Sequence, residues 1–224
     1  QVVESLPVSE TIKTGSQPRD EHIKAWIKSM ENLSELGINV ICYNFMPILD
    51  WTRTELAAPM FSGATAMYFD LLDFIAFDCF ILGRMDAQND YEKQLVDKAK
   101  HRFEGFSKEK KLILSKNITA GLPGAGETLT FQEVKRRLEG YSGIDADKLR
   151  ENFKYFLDAV VPTAEKLGVR LCCHPDDPPW PLLGLPRIMS TEEDYNWLVN
   201  IHPSKANGIT FCTGSLGASF ENDL

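Results

Sequence analysis

The residues best suited to chemistry follow a short apolar run near the C-terminal end of the chain. His174 comes directly after the run, and Asp176 and Asp177 follow within three residues. A histidine in this position is often only packed, but a strand exit beside carboxylates favours a metal ligand, and neutral imidazole is a common ligand for divalent metals. Five prolines between residues 175 and 186 restrict the loop behind it. The pattern predicts a rigid, pre-organised site loop.

A thiol stands at the matching point of the next apolar run. Cys212 follows that run, and although free cysteines are usually buried apolar residues, this position makes a thiolate ligand plausible. A histidine and a cysteine on neighbouring strand ends would suit Zn²⁺, Fe²⁺ or Mn²⁺ together with further nitrogen or oxygen ligands. The residue types indicate no clear third ligand, because His22, His101 and His202 lie on or after helical patterns.

Several polar residues near these positions have two open interpretations. Trp51 and Arg53 form either an ordinary turn with a solvated cation, or an aromatic wall and a cation for an anionic, hydroxyl-rich ligand. Asp176 and Asp177 are either turn-forming residues before prolines or partners that orient a metal-bound histidine. With Asn44, at the end of an earlier strand, these four residues are the predicted substrate contacts.

The elements that must position these residues repeat one order, a helical pattern followed by a β-rich run. The first helix stops at Gly37 before a strand that ends near Asn44, and the second contains Pro162 and stops at Gly168. The third is predicted to open at Ser190 with a capping box to Glu193. With a strand at residues 1–8, this alternation predicts a parallel sheet with crossover helices.

Parallel sheets of this kind collect reactive groups at the carboxyl ends of their strands. The four predicted strand ends carry Glu4, Asn44, His174 and Cys212. They therefore predict an active-site rim.

Residues 54–145 form a long insertion of amphipathic helical patterns after one strand. We expect it to form a lid or an interface within a single domain that spans residues 1–224. The glycine-rich stretch at 121–127 fits neither a phosphate-binding loop nor a dinucleotide fingerprint, and is predicted to be an interhelical loop.

Composition excludes several classes of partner. The net charge of −8 disfavours nucleic acid and anionic membrane, because an acidic surface repels phosphates. Five cysteines without scaffold-like density indicate a reduced, cytoplasmic protein, and the adjacent Cys172 and Cys173 are predicted to pack in the core. No apolar run is long enough to span a membrane. A small anionic ligand would need a local cation.

The motifs HPDDPPWPLLGLPRI, CYNFMPILDWTRT, NITAGLPG, KLRENFKYFL and NGITFCTGSLGA occur in this order. Because it carries these motifs, the chain resembles the bacterial mannonate dehydratase family along its whole length. The resemblance implies a (β/α)8 barrel of the xylose-isomerase-like kind and the dehydration of D-mannonate to 2-dehydro-3-deoxy-D-gluconate in hexuronate (glucuronate) breakdown. It also implies a requirement for Mn²⁺ or Fe²⁺, with His174 and Cys212 as two of the metal ligands.

The chain also departs from the family pattern. Family members carry a first barrel strand ahead of residue 1, and beyond Leu224 they carry further histidine and aspartate ligands and the proton-transfer histidine and tyrosine. We therefore expect a partial barrel that lacks N- and C-terminal strands and is inactive alone. A sugar isomerase or epimerase of the same superfamily and a non-catalytic fragment are the alternatives. The helical insertion leads us to expect at least a homodimer.

Overall fold

A computed structural model describes residues 1–120 and 129–224. The chain divides into two compact units. The first contains residues 1–47, 141–180 and 186–224, and the second contains residues 48–140 and 181–185. The second unit overlaps most of the insertion predicted at 54–145, while a single domain across 1–224 stays a prediction.

The elements follow the alternating order that the sequence indicates. The strands are β1 (Val2–Glu4), β2 (Val40–Tyr43), β3 (Glu55–Pro59), β4 (Thr65–Tyr68), β5 (Arg170–Cys173) and β6 (Asn207–Ile209). The α-helices are α1 (Glu10–Thr14), α2 (Arg19–Glu35), α3 (Leu71–Ala76), α4 (Lys93–Glu104), α5 (Lys108–Thr119), α6 (Phe131–Glu139), α7 (Ala146–Leu167), α8 (Glu192–Ile201) and α9 (Thr213–Leu216). A π-helix (Phe77–Leu82) and a 3-10 helix (Ala87–Asp90) lie between α3 and α4.

A parallel sheet forms the centre of the first unit. Its strand order is β1-β2-β5-β6, and each neighbouring pair is parallel. The predicted α/β class with parallel strands is confirmed. Because the strands run the same way, the residues that follow β2, β5 and β6 leave the sheet at the same edge.

Two of the helices that cover this sheet were predicted closely, and the third begins one residue later than predicted. Helix α7 continues through Pro162 to Leu167. The capping box of α8 joins Thr191 and Asp194, instead of Ser190 and Glu193. The reason is that the Ser190 hydroxyl donates to Asp176 at 3.1 Å, which leaves Thr191 to cap the helix.

Aromatic side chains from the sheet and two helices form the core of the first unit. Phe45 and Phe153 stack with centroids 4.3 Å apart. Trp26 of α2 meets Phe156 of α7 edge-on at 5.1 Å. Tyr43 contacts Trp26, Phe153 and Phe156. All five rings are almost fully buried. The cluster fixes α2 and α7 against the end of β2.

The second unit begins with an element that the sequence analysis missed. The insertion was predicted to be helical, but β3 and β4 form an antiparallel hairpin before the first helix. Helices α3 to α6 then follow the predicted patterns. Short strands rich in alanine carry only a weak periodic signal. The one indication of a turn in the sequence was Gly63, which has a positive φ of 84° in the structure.

No helix in the described part of the chain is both long and apolar enough to cross a membrane.

Candidate active site

His174 extends the sheet by one residue past the end of β5. Its backbone N–H donates to the carbonyl of Tyr43 at 2.7 Å, which fixes the backbone where the strand ends. The imidazole Nδ1 lies 2.8 Å from the carbonyl oxygen of Pro175. Because a carbonyl only accepts, Nδ1 carries the proton, and in the neutral ring Nε2 keeps its lone pair. The half-buried side chain is therefore prepared to bind a metal through Nε2.

Cys212 follows β6, the strand next to β5. The N–H of Thr210 donates to the carbonyl of Cys173 at 2.9 Å, so the parallel pairing continues one residue beyond β6. Cys212 is half-buried, directly precedes α9, and has its Sγ 3.4 Å from the Ser215 hydroxyl. His174 and Cys212 therefore leave neighbouring strands at the same edge of the sheet, as the sequence predicts.

Asn44 lies directly after β2, on the strand that pairs with β5. Its side chain is buried, and its Oδ1 accepts from the N–H of Met46 at 3.2 Å. This contact shapes the turn behind β2. A substrate contact by Asn44 stays a prediction.

Asp176 is buried and organises the return of its own loop. Its Oδ2 accepts from the N–H of Met189 at 2.7 Å and from the Ser190 hydroxyl. Its Oδ1 lies 3.8 Å from an Arg187 guanidinium nitrogen. Burial raises the pKa of Asp176, while Arg187 and the N–H of Met189 act in the opposite direction. The predicted substrate contact by Asp176 is untested, and these contacts indicate a structural task.

Asp177 contacts residues of the first unit that follow two other strands. Its Oδ2 accepts from the Ser215 hydroxyl at 2.8 Å, and its N–H donates to the sulfur of Met46 at 3.2 Å. The side chain is only 7% exposed. It therefore joins the loops that follow β2, β5 and β6.

Trp51 and Arg53 belong to the second unit, where they contact each other. The Arg53 guanidinium lies over the Trp51 ring, 4.1 Å from its centroid, and also donates to the carbonyl of Thr52 at 2.9 Å. Thr52 is anchored by a hydroxyl contact to the carbonyl of Ile118 at 2.8 Å. The pair is thus held in place, and its contact with a sugar acid stays a prediction.

The donor set suits a divalent first-row metal but is incomplete. An imidazole nitrogen and a thiolate sulfur are both ligands of Fe²⁺ and Zn²⁺, and imidazole also binds Mn²⁺. Across residues 1–120 and 129–224, no group of three or more His, Cys, Asp or Glu side chains is placed to hold a metal ion. His174 and Cys212 would supply two ligands, and other groups must supply the rest.

Two further sequence predictions concern cysteines and glycines. Cys173 is fully buried in the core, as predicted, whereas Cys172 is only half-buried. Burial raises the pKa of both thiols. The glycine-rich stretch at 121–127 lies outside the described residues.

Four residues that shape the candidate site were not predicted from the sequence. Lys13 is buried on α1 and donates to the carbonyl of Met46 at 2.7 Å. Ser215 and Arg187 hold the two aspartates. Arg187 is the only lysine or arginine between residues 171 and 190, which was an available signal. Nothing in the local pattern marked Met46 or Ser215.

The tip of the loop behind His174 has a close contact of its own in the second unit. Gly184 has φ of 71°, and a Cβ there would lie 2.8 Å from Oδ2 of Asp90 and 2.9 Å from Nη1 of Arg84. Arg84 is bound by Asp90 and by the fully buried Asp78, so it cannot easily move away.

Gly184→Ala is therefore expected to lower the free energy of unfolding by about 2 kcal/mol, through backbone strain and the clash together. Gly63→Ala is the matched control, because Gly63 also has a positive φ of 84° but its Cβ would meet nothing within 4 Å. Urea unfolding of both variants measures the difference. Equal losses would show that the contact with Arg84 and Asp90 carries no cost.

The parallel sheet and its covering helices define an α/β protein, and His174 and Cys212 follow adjacent strands at their carboxyl ends. A family model described as D-mannonate dehydratase (UxuA) matches residues 1–224. The chain belongs to the D-mannonate dehydratase family.

Individual relatives agree with this assignment. Mannonate dehydratase of Rhizobium meliloti (strain 1021) is 48% identical over 224 residues, which are 100% of this chain and 56% of that protein. Mannonate dehydratase 1 of Agrobacterium fabrum is 50% identical over 223 residues, with the same coverage of 100% and 56%. The crystal structure of mannonate dehydratase from Streptococcus suis serotype 2 has a TM-score of 0.68 at 32% identity, and covers 99% of this chain and 50% of that chain. The chain thus spans about half the length of the relatives it matches.

Proposed function

We propose that the whole protein is a metal-dependent lyase that dehydrates D-mannonate to 2-dehydro-3-deoxy-D-gluconate in hexuronate (glucuronate) breakdown. The observation that carries the proposal is the family match over residues 1–224. The position of His174 and Cys212 on neighbouring strand ends supports it, because this pair provides the nitrogen and sulfur donors that such a site needs.

The proposed architecture is part of a (β/α)8 barrel. Four parallel strands in the order β1-β2-β5-β6, joined by helices, support this proposal. In a barrel the carboxyl ends of the strands surround one site, and the ends of β2, β5 and β6 would form one side of it.

The proposed metal is Mn²⁺ or Fe²⁺, held in part by His174 and Cys212. His174 and Cys212 would hold such a metal, which would supply a Lewis acid that stabilises negative charge on the substrate. The protein fixes its own donors beforehand. The carbonyl of Pro175 sets the tautomer of His174, and Asp176 holds the return of the loop at Met189 and Ser190.

The residues proposed to contact the substrate are Asn44, Trp51 and Arg53. Arg53 would bind the carboxylate, because a planar guanidinium can donate two parallel hydrogen bonds. Trp51 would cover an apolar face of the sugar chain, and the Asn44 amide would bind a hydroxyl group.

The product decides between this reaction and an isomerase of the same superfamily. The whole protein, incubated with D-mannonate and Mn²⁺ or Fe²⁺, is expected to form a 2-keto-3-deoxy acid that gives colour with periodate and thiobarbiturate. A metal-free sample is the control. Conversion of D-mannonate without this colour would contradict dehydration.

We further propose that the protein is cytoplasmic and at least a homodimer. The hairpin β3–β4 supports self-association, since Phe61 and Tyr68 are exposed and no charged residue lies between positions 56 and 69. Two copies with a net charge of −8 would repel each other least at such a surface. Analytical ultracentrifugation measures the molar mass of the whole protein in solution. A mass equal to that of one monomer would contradict self-association.

A further inference from the structure

A buried hydrogen bond between Ser215 and Asp177 connects the loop after β5 with the segment after β6 that carries Cys212. The Ser215 hydroxyl lies 2.8 Å from Oδ2 of Asp177 and 3.4 Å from Sγ of Cys212. Ser215 is 2% exposed and Asp177 is 7% exposed, so water competes little for the hydrogen bond between them. Asp177 follows β5, whereas Cys212 and Ser215 both follow β6.

The direction of the bonds follows from chemistry. An ionised carboxylate only accepts, so Ser215 donates its single proton to Asp177. This charge-assisted bond fixes the rotation of the hydroxyl group, which would otherwise turn freely. The fixed oxygen then lies against Cys212 and restricts the rotamers that place Sγ at the strand edge.

Asp177 is itself held by further buried groups. Its N–H donates to the sulfur of Met46, and the carbonyl of Met46 accepts from the ammonium of Lys13 at 2.7 Å. Lys13 is also bound by Glu10 at 2.7 Å, and Glu10 accepts from Tyr141 at 2.6 Å. Contacts within the first unit therefore connect α1 and the loops after β2, β5 and β6. These contacts fix the backbone at Asp177, and the carboxylate that accepts from Ser215 therefore starts from a fixed position.

We propose that Asp177 and Ser215 are positioning residues that hold the sulfur of Cys212 in the geometry that binds the metal. The inference rests on the proposed function in one respect, namely that Cys212 is a metal ligand. It gives Asp177 a task different from the substrate contact that the sequence suggests. Through its contact with Ser215, Asp177 restricts the side chain of Cys212, which lies 35 residues further along the chain.

The test uses Co²⁺ as probe in the whole protein, because a cobalt–thiolate bond has its own charge-transfer absorption. Ser215→Ala is expected to weaken Co²⁺ binding by about tenfold or more and to reduce or shift this band, as for other residues that orient a metal ligand. Asp177→Asn should act in the same direction. Ser215→Thr, which keeps the hydroxyl group, should restore both affinity and band. Ser219→Ala, in the same segment, is the control and should change neither.

A second measurement does not depend on metal. In the metal-free protein, peptide mass spectrometry measures the rate at which iodoacetamide alkylates Cys212. This rate should rise several-fold in Ser215→Ala and should equal the rate of the parent protein in Ser215→Thr. Circular dichroism identifies any variant that fails to fold.

The outcomes separate the two proposals. An unchanged cobalt–thiolate band and an unchanged alkylation rate in Ser215→Ala would overturn the positioning role while Cys212 remains a ligand. A parent protein without the band, with Cys212→Ser binding Co²⁺ equally well, would overturn the ligand assignment and the inference with it. A lower affinity with a weaker band in Ser215→Ala, restored in Ser215→Thr, supports both.

Discussion

His174→Ala in the whole protein is expected to lower metal affinity by more than about 100-fold and to reduce turnover of D-mannonate to background. Removing a residue that only supports a ligand costs 10- to 100-fold, so loss of the ligand itself should cost more. The backbone should change little, because the N–H of His174 is held by the carbonyl of Tyr43 whatever the side chain is. Elemental analysis after gel filtration measures metal content, and the 2-keto-3-deoxy acid assay measures turnover.

His101→Ala is the matched control for this variant. His101 lies exposed in the last turn of α4, so its removal deletes an imidazole that does not follow a strand of the parallel sheet. It should leave metal content and turnover unchanged. Full metal content together with full turnover in His174→Ala would refute the assignment of His174 as a ligand.

Phe153→Ala is expected to lower the free energy of unfolding by about 3–5 kcal/mol, the usual cost of removing a buried aromatic ring. Phe153 is fully buried on α7, stacks on Phe45, and also contacts Tyr43 and Trp197 at centroid distances of 6.1 and 5.8 Å. The cavity left behind would lie under the end of β2. Urea unfolding followed by circular dichroism measures the loss.

Tyr155→Ala is the matched control on the same helix. Tyr155 is 41% exposed, and its main contacts are the Arg19 guanidinium 3.8 Å from its ring centroid and a hydroxyl contact to Asp20. Exposed contacts of this type contribute about 1 kcal/mol or less. A loss for Phe153→Ala no larger than that for Tyr155→Ala would contradict the central place of the aromatic cluster in the core.

Periodic patterns explain why the sheet and its site edge could be predicted. The apolar stripes of α2 and α7 and the runs at β2, β5 and β6 each report on burial within a short segment. Once those strands are parallel, chain direction alone requires the residues after β5 and β6 to leave at one edge. His174 and Cys212 could therefore be assigned to the ends of neighbouring strands without any knowledge of their contacts.

Contacts between distant loops could not be predicted in this way. Ser215 meets Asp177 from 38 residues away, and Lys13 meets Met46 from 33 residues away. Such pairs depend on the path of each loop, which hydrophobic periodicity does not report. The start of α8 shows the same limit on a smaller scale, because a distant contact with Asp176 decides that Thr191 and not Ser190 is the cap.

The hairpin of β3 and β4 was missed for a different reason. Its strands have four and five residues, and β4 is exposed on both faces, so there is no alternation of buried and exposed positions to detect. The pair Trp51 and Arg53 lies just before it, in the second unit, and its proposed role could be inferred only from residue type.

The backbone hydrogen bond between His174 and Tyr43 has a consequence for how such a site can evolve. Because that bond involves no side-chain atom, position 174 offers a fixed point from which different donors can be presented. A carboxylate or a thiol introduced there would start from the same place on the strand edge. Preference among divalent metals could thus change through a single codon, without any rebuilding of the proline-rich loop.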